Sequence, residues 1–113
     1  MQYLTAEQVA NATKQPSFEL FRIELEGMFG ISGKIHSSGH HVIGGEMGNR
    51  YSSPGDPLFY LHHANIDKIW WDWQLMDAPK RLREISDYTT ADPPFMKTTL
   101  DFPLRGLCLF ATS

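Results

Sequence analysis

The stretch Asp56-Pro57-Leu58-Phe59-Tyr60-Leu61-His62-His63-Ala64-Asn65-Ile66-Asp67-Lys68-Ile69-Trp70-Trp71-Asp72-Trp73-Gln74 decides how the chain reads. It predicts one long helix with a sharply defined start. Asp56 is placed to cap it, because its carboxylate accepts from the free amides of the first turn. Pro57 follows at the first helical position, where its missing N–H costs nothing and its fixed φ suits the helix. No Gly or Pro then interrupts the run until Pro79. Phe59, Trp70, Trp71 and Trp73 predict burial on more than one face. The same helix carries two adjacent histidines, His62 and His63, with Asp67 one turn beyond the second.

A second pair, His36 and His40, stands upstream at i and i+4 on a predicted short helix, Ile35 to Val42, closed by Gly44-Gly45. That spacing puts both rings on one helix face, about 5–6 Å apart at Cβ. Imidazole suits zinc, copper, iron and nickel. We read the two helices as supplying three imidazoles to one metal. Neighbouring helical residues point about 100° apart, so only one of His62 and His63 meets that metal, and His41 is not a ligand. Spacing leans slightly to His63, with Asp67 at i+4 either orienting its ring or pairing with Arg22 or Arg50. His62 shares its face with Ile66, Ile69 and Trp73, a core-like set. A zinc peptidase wants H-E-x-x-H, but the run here is His36-Ser37-Ser38-Gly39-His40, which counts against hydrolysis.

Working outward, Thr5-Ala6-Glu7-Gln8 matches a capping box for a helix ending near Thr13. Pro16 breaks it, and Ser17 caps a helix from Phe18 to Glu26, where Phe18, Phe21 and Leu25 share one face. Gly27 suits its C-cap. Residues 27–35 are glycine-rich and 46–55 are turn chemistry. Beyond Gln74, Pro79, Pro93 and Pro94 punctuate a loop-rich segment with one predicted helical turn, Lys80 to Ile85, and one predicted strand, Thr98 to Phe102.

At 113 residues the chain fits one small domain, and 42% hydrophobic residues with seven Phe, four Tyr and three Trp suffice for a core. Ten Lys and Arg against 13 Asp and Glu, formally −3, make no electrostatic case for nucleic acid or an anionic membrane. No apolar run is long enough to span a bilayer. One cysteine, Cys108, rules out an internal disulfide. The first residues, MQYLTAEQVA, lack a signal-peptide pattern, so we expect either a chain that is not secreted or a true N-terminus further upstream.

The string from Asp56 to Asp67 resembles the second copper-binding signature of tyrosinases, D-P-x-F-aromatic-x-x-H-x-x-x-D. The upstream His36, His40 and Gly44-Gly45, and the helix tail Ile69 to Gln74, are similar to that family as well. The resemblance covers about residues 18–74 of a partial domain spanning 1–113, with 75–113 as a loop-rich extension. It implies a mainly α fold: half of a type-3 copper four-helix bundle, two copper-bearing helices with short flanking helices and long loops.

In that family two copper ions, each held by three histidines, act together on dioxygen and oxidise phenols or o-diphenols to o-quinones. Carried over, the resemblance assigns His36, His40 and His63 to the second copper and likens Glu26 to a glutamate that holds a water near it. The position after the first ligand, often Asn in members that hydroxylate monophenols, is Ser37 here. The first copper needs three further histidines from two more helices, and only His41 and His62 remain. The resemblance thus implies one copper from this chain, a missing first-copper half or partner chain, an exposed apolar face meant for it, and little oxidase activity alone. Its alternatives are a haemocyanin-like oxygen binder and a non-catalytic mononuclear metal-binding remnant.

Overall fold

The computed structural model describes residues 4–27 and 34–84, together with two strand fragments at 87–88 and 97–98. The fold is mainly helical: α1 (Ala6–Thr13), α2 (Phe18–Glu26), α3 (Ile35–Ile43), α4 (Pro57–Leu75) and α5 (Ala78–Arg81). Two 3-10 turns, Gly45–Gly48 and Ser53–Gly55, join α3 to α4. Strands β1 (Asp87–Tyr88) and β2 (Lys97–Thr98) pair antiparallel, with Asp87 opposite Thr98.

The helix starts follow from their caps. Thr5 Oγ1 accepts from the Gln8 amide at 3.2 Å, and Gln8 Oε1 accepts from the Thr5 amide at 3.0 Å, a complete capping box. Ser17 accepts from the Leu20 amide, and Asp56 Oδ1 from the Leu58 amide at 2.9 Å. Gly27 ends α2 at φ 93°, a backbone region that a side chain would strain.

The core forms where α1, α2 and α4 meet. Trp73 and Ala12 are fully buried, with Phe21, Leu25, Ile35 and Ile69 around them. Phe21 stacks on Trp73 at 5.0 Å, and Phe18 meets Trp70 at 5.8 Å. A buried indole needs a hydrogen-bond partner, and Trp73 Nε1–H donates to the Gln15 carbonyl at 2.8 Å. Arg81 stacks its guanidinium over the Trp73 ring at 4.5 Å and donates to the carbonyls of Trp73 and Gln15. Glu84 accepts from the Phe18 amide at 2.9 Å. These contacts lock the end of α4 to the turn between α1 and α2.

Some expectations shift. The helical turn predicted at Lys80–Ile85 is α5, two residues earlier, because Pro79 fits a first turn whose amides need no helical partner. Thr98 is in a strand as predicted, but 99–102 and the glycine-rich residues 28–33 lie outside the described residues. Trp71 is not core: it is 51% exposed. With Leu58, Leu61 and Leu75 it stands exposed on the outer side of α4, around the exposed pair Lys68 and Asp72. Among the described residues, no helix is long and apolar enough to cross a membrane.

Candidate metal centre

Helix α3 turns Ile35 and Ser38 into the protein, which leaves His36 and His40 on the flank that faces α4. His36 Nε2 and His40 Nε2 lie 3.3 Å apart. His63 Nε2, arriving from α4, lies 3.3 Å from His40 Nε2. Imidazole nitrogens bound at about 2.0–2.1 Å around a tetrahedral ion sit about 3.3–3.4 Å from one another. Each of the two separations is that of neighbouring ligands on one ion, and both run through His40.

The surroundings decide which nitrogen of His40 is free. Its Nδ1 lies 2.9 Å from the Met47 carbonyl. A carbonyl only accepts, so Nδ1 carries the hydrogen, and in the neutral ring the lone pair is on Nε2. The chain returns over His40 because Gly44 and Gly45 both take positive φ, 67° and 52°. This backbone acceptor orients the His40 ring as carboxylates often orient metal-binding imidazoles elsewhere. Phe59, one turn before His63, braces that ring at 4.1 Å between centroids.

His62 departs from the expectation that it faces away from the other histidines. It offers a ring nitrogen within 4.8 Å of those of His36 and His40, and among the described residues these three form the group whose nitrogens all lie close enough to hold a metal. Yet its Nε2 lies 2.9 Å from the His36 carbonyl and must donate to it. The ring is parallel to that of His36, 6° between planes at 5.6 Å. It reaches this place only because residue 39 is glycine: a Cβ there would fall 2.2 Å from His62 Cε1.

The remaining predicted residues are less involved. His41 is exposed and donates through Nδ1 to the Ser37 carbonyl at 2.7 Å. Asp67 is exposed and has neither the bond to His63 nor the pairing with Arg22 or Arg50 anticipated for it; among the described residues it makes no hydrogen bond or ion pair. Its one-turn spacing from His63 is right, but the carboxylate points to water. Glu26, at the end of α2, lies 3.5 Å from Arg22 Nη1 and does not line the cavity beside the histidines.

Electrostatics favour the neutral form of His36, His62 and His63. Burial, then the nearby His40, His63 and His62, lowers the pKa of His36 from 6.5 to about 4. Burial also lowers His62, against the hydrogen bond to His36, and lowers His63, helped by His62 and His40. Neutral rings carry the lone pairs that a metal needs, without first losing a proton.

A cavity of about 360 Å³ opens beside the rings, lined by His36, His40, His63, Met47, Phe59 and Arg50 among others. Sequence reasoning missed Met47, because a backbone carbonyl leaves no trace in residue type. It missed Phe59 as a brace, although its i, i+4 spacing to His63 was a usable signal.

Comparison with known proteins gives these features a lineage. "Tyrosinase-like protein orsC" of Emericella nidulans is 48% identical over 46 residues, 41% of this chain and 12% of that protein. "Tyrosinase" of Streptomyces antibioticus is 48% identical over 54 residues, 48% of this chain and 19% of that protein. "Grixazone synthase" of Streptomyces griseus is 37% identical over 92 residues, 75% of this chain and 29% of that protein. The chain thus spans less than a third of the length of these relatives. No solved structure matches it. The model of the common central domain of tyrosinase matches residues 1–76, and the chain belongs to the tyrosinase family.

Proposed function

We propose that this chain is the second-copper portion of a phenol-oxidising centre, with His36, His40 and His63 as the ligands of one copper ion. The observation that carries this reading is the pair of 3.3 Å Nε2 separations centred on His40. His63 is preferred to His62 because its Nε2 lies 3.3 Å from that of His40, whereas His62 donates through Nε2 to the His36 carbonyl and has only Nδ1 left for a metal. The chemistry copper supplies when bound is one-electron exchange with dioxygen and a phenol.

The protein's part is positioning. Met47 fixes the tautomer of His40, Phe59 braces His63, and His62 ties the His36 turn to α4. Phe59 and the buried Met47 give the cavity apolar walls against which an aromatic ring packs. The substrates are a phenol or o-diphenol and dioxygen; Ser37 in place of Asn favours diphenol oxidation. A first-copper helix pair, from elsewhere in a longer protein or from a partner chain, completes the centre. Supporting that, α4 leaves Leu58, Leu61, Trp71 and Leu75 exposed on one side.

Copper titration of the purified chain, followed by elemental analysis and electron paramagnetic resonance, tests the assignment. One ion per chain is expected. His40→Ala and His63→Ala each weaken binding at least tenfold, while His62→Ala retains the stoichiometry. Normal copper binding by His63→Ala together with its loss in His62→Ala would reverse the assignment. Rapid o-quinone formation from catechol by the copper-loaded chain alone would refute the need for a first-copper half.

A further inference from the structure

The cavity beside the histidines has one feature that neither metal binding nor aromatic packing uses. Arg50 lines it, and no carboxylate does. Among the described residues Arg50 makes no hydrogen bond or ion pair. The rest of the lining comprises imidazoles, Phe59, Met47, Gly48 and the hydroxyls of Ser37 and Ser53. Arg50 is therefore the one side chain of fixed charge on a largely apolar wall.

An arginine so placed has a definite complement. Its guanidinium stays charged at any ordinary pH and presents paired donors that match a carboxylate with two parallel hydrogen bonds. Arg50 is itself exposed, so the attraction is that of an ion pair partly screened by water. Bound metal adds positive charge to the same space. A neutral ring gains no more than a cation–π contact from the guanidinium, whereas a ring carrying a carboxylate satisfies its donors.

Resting on the reading of this cavity as the phenol site, we propose that Arg50 makes it selective for phenols bearing a carboxylate. The hydroxyl turns to the His36, His40 and His63 rings and the carboxylate to the guanidinium. Arg50 is then a specificity-determining residue, and the substrate class is hydroxybenzoate-like rather than simple catechol-like.

The test compares 4-hydroxybenzoate with phenol at pH 7.5, where the carboxylate is ionised, by ligand-observed NMR. It uses the metal-free and copper-loaded whole chain, because a carboxylate that merely ligates copper loses its advantage when the metal is absent. On the metal-free chain 4-hydroxybenzoate is expected to bind about fivefold tighter than phenol, the scale of a partly exposed ion pair. Arg50→Gln brings the ratio to about one, Arg50→Lys restores part of it, and added salt shrinks it. Equal affinities in the native chain, or a preference that survives Arg50→Gln, overturn the assignment to Arg50 while leaving the phenol site intact. If neither probe binds and neither is broadened by bound Cu(II), the phenol-site reading itself fails, and this proposal with it.

Discussion

Replacing Gly39 by alanine tests the joint between α3 and α4. In an open helix this change stabilises by about 1 kcal/mol, because glycine loses more backbone freedom on folding. Here the new methyl would lie 2.2 Å from Cε1 and 2.6 Å from both ring nitrogens of His62. Ordinary contact begins at 3.4 Å, so the ring must retreat by more than 1 Å. It is not free to do so: Nε2 is bonded to the His36 carbonyl at 2.9 Å. Overpacking of this kind costs about 1–3 kcal/mol, and the lost hydrogen bond about 1 kcal/mol more. After the helix gain is subtracted, Gly39→Ala should destabilise by about 1–3 kcal/mol. It should also weaken copper binding roughly 10- to 100-fold, the usual cost of disturbing groups that orient ligands. Chemical denaturation of the metal-free chain reads the first effect. His62→Ala supplies the control, because it removes the three closest atoms that the alanine at 39 would meet, and its helix gain should return. The double-mutant cycle should therefore show a coupling of about 1–3 kcal/mol between positions 39 and 62. A Gly39→Ala chain more stable than the native one, with no coupling to His62, would refute the reasoning.

Three further outcomes follow from the same structure. Trp73→Ala removes the buried centre of the core and its bond to Gln15, and should cost about 3–5 kcal/mol, seen as loss of a cooperative unfolding transition. Asp56→Ala deletes the cap of α4 and should cost about 1 kcal/mol by denaturant titration, with Asp56→Asn costing much less. For pH, the lowered pKa values of His36, His62 and His63 mean that the unfolded chain binds more protons than the folded one below 6.5. Stability of the metal-free chain should hold above pH 6.5 and fall as pH drops toward about 4, and His36→Ala should flatten that slope in a melting-temperature series.

Much of the fold was legible because it is written in local chemistry. The capping box at Thr5 to Gln8, the Ser17 and Asp56 caps, Pro57 at the start of α4 and Gly27 at the end of α2 act within a few residues, and the helices begin and end there. The placing of His36 and His40 on one face needed only the helical period. What sequence could not supply was the other side of each contact. Asp67 has the spacing of a carboxylate that orients His63 but makes no bond to it, and the ring with such an acceptor is His40, held by the Met47 carbonyl that two glycines at positive φ bring back. Trp71 has the composition of core but lies on the outer side of α4, because the packing of α1 and α2 selects the face that holds Ile69 and Trp73.

The histidine doublet shows how two adjacent residues can both reach a neighbouring helix. A helix rotates successive side chains by about 100°, which led to the expectation that only one ring of the pair concerns the metal and that the other turns away. Helix α3 lies across α4 such that both directions are occupied: His63 sends Nε2 to the ring of His40, and His62 sends Nε2 to the backbone of His36. His36 is therefore held through its carbonyl while its ring nitrogen stays beside that of His40. A hydrogen bond to a main-chain carbonyl does not depend on the acceptor's side chain, so the joint would persist whatever residue stood at 36. The crossing itself depends on Gly39, since any larger residue displaces the ring. This places the constraint on the helix pair at a residue with no chemistry of its own, and it explains why the ligand geometry should prove more sensitive to a methyl group at position 39 than to the loss of the carboxylate at Asp67.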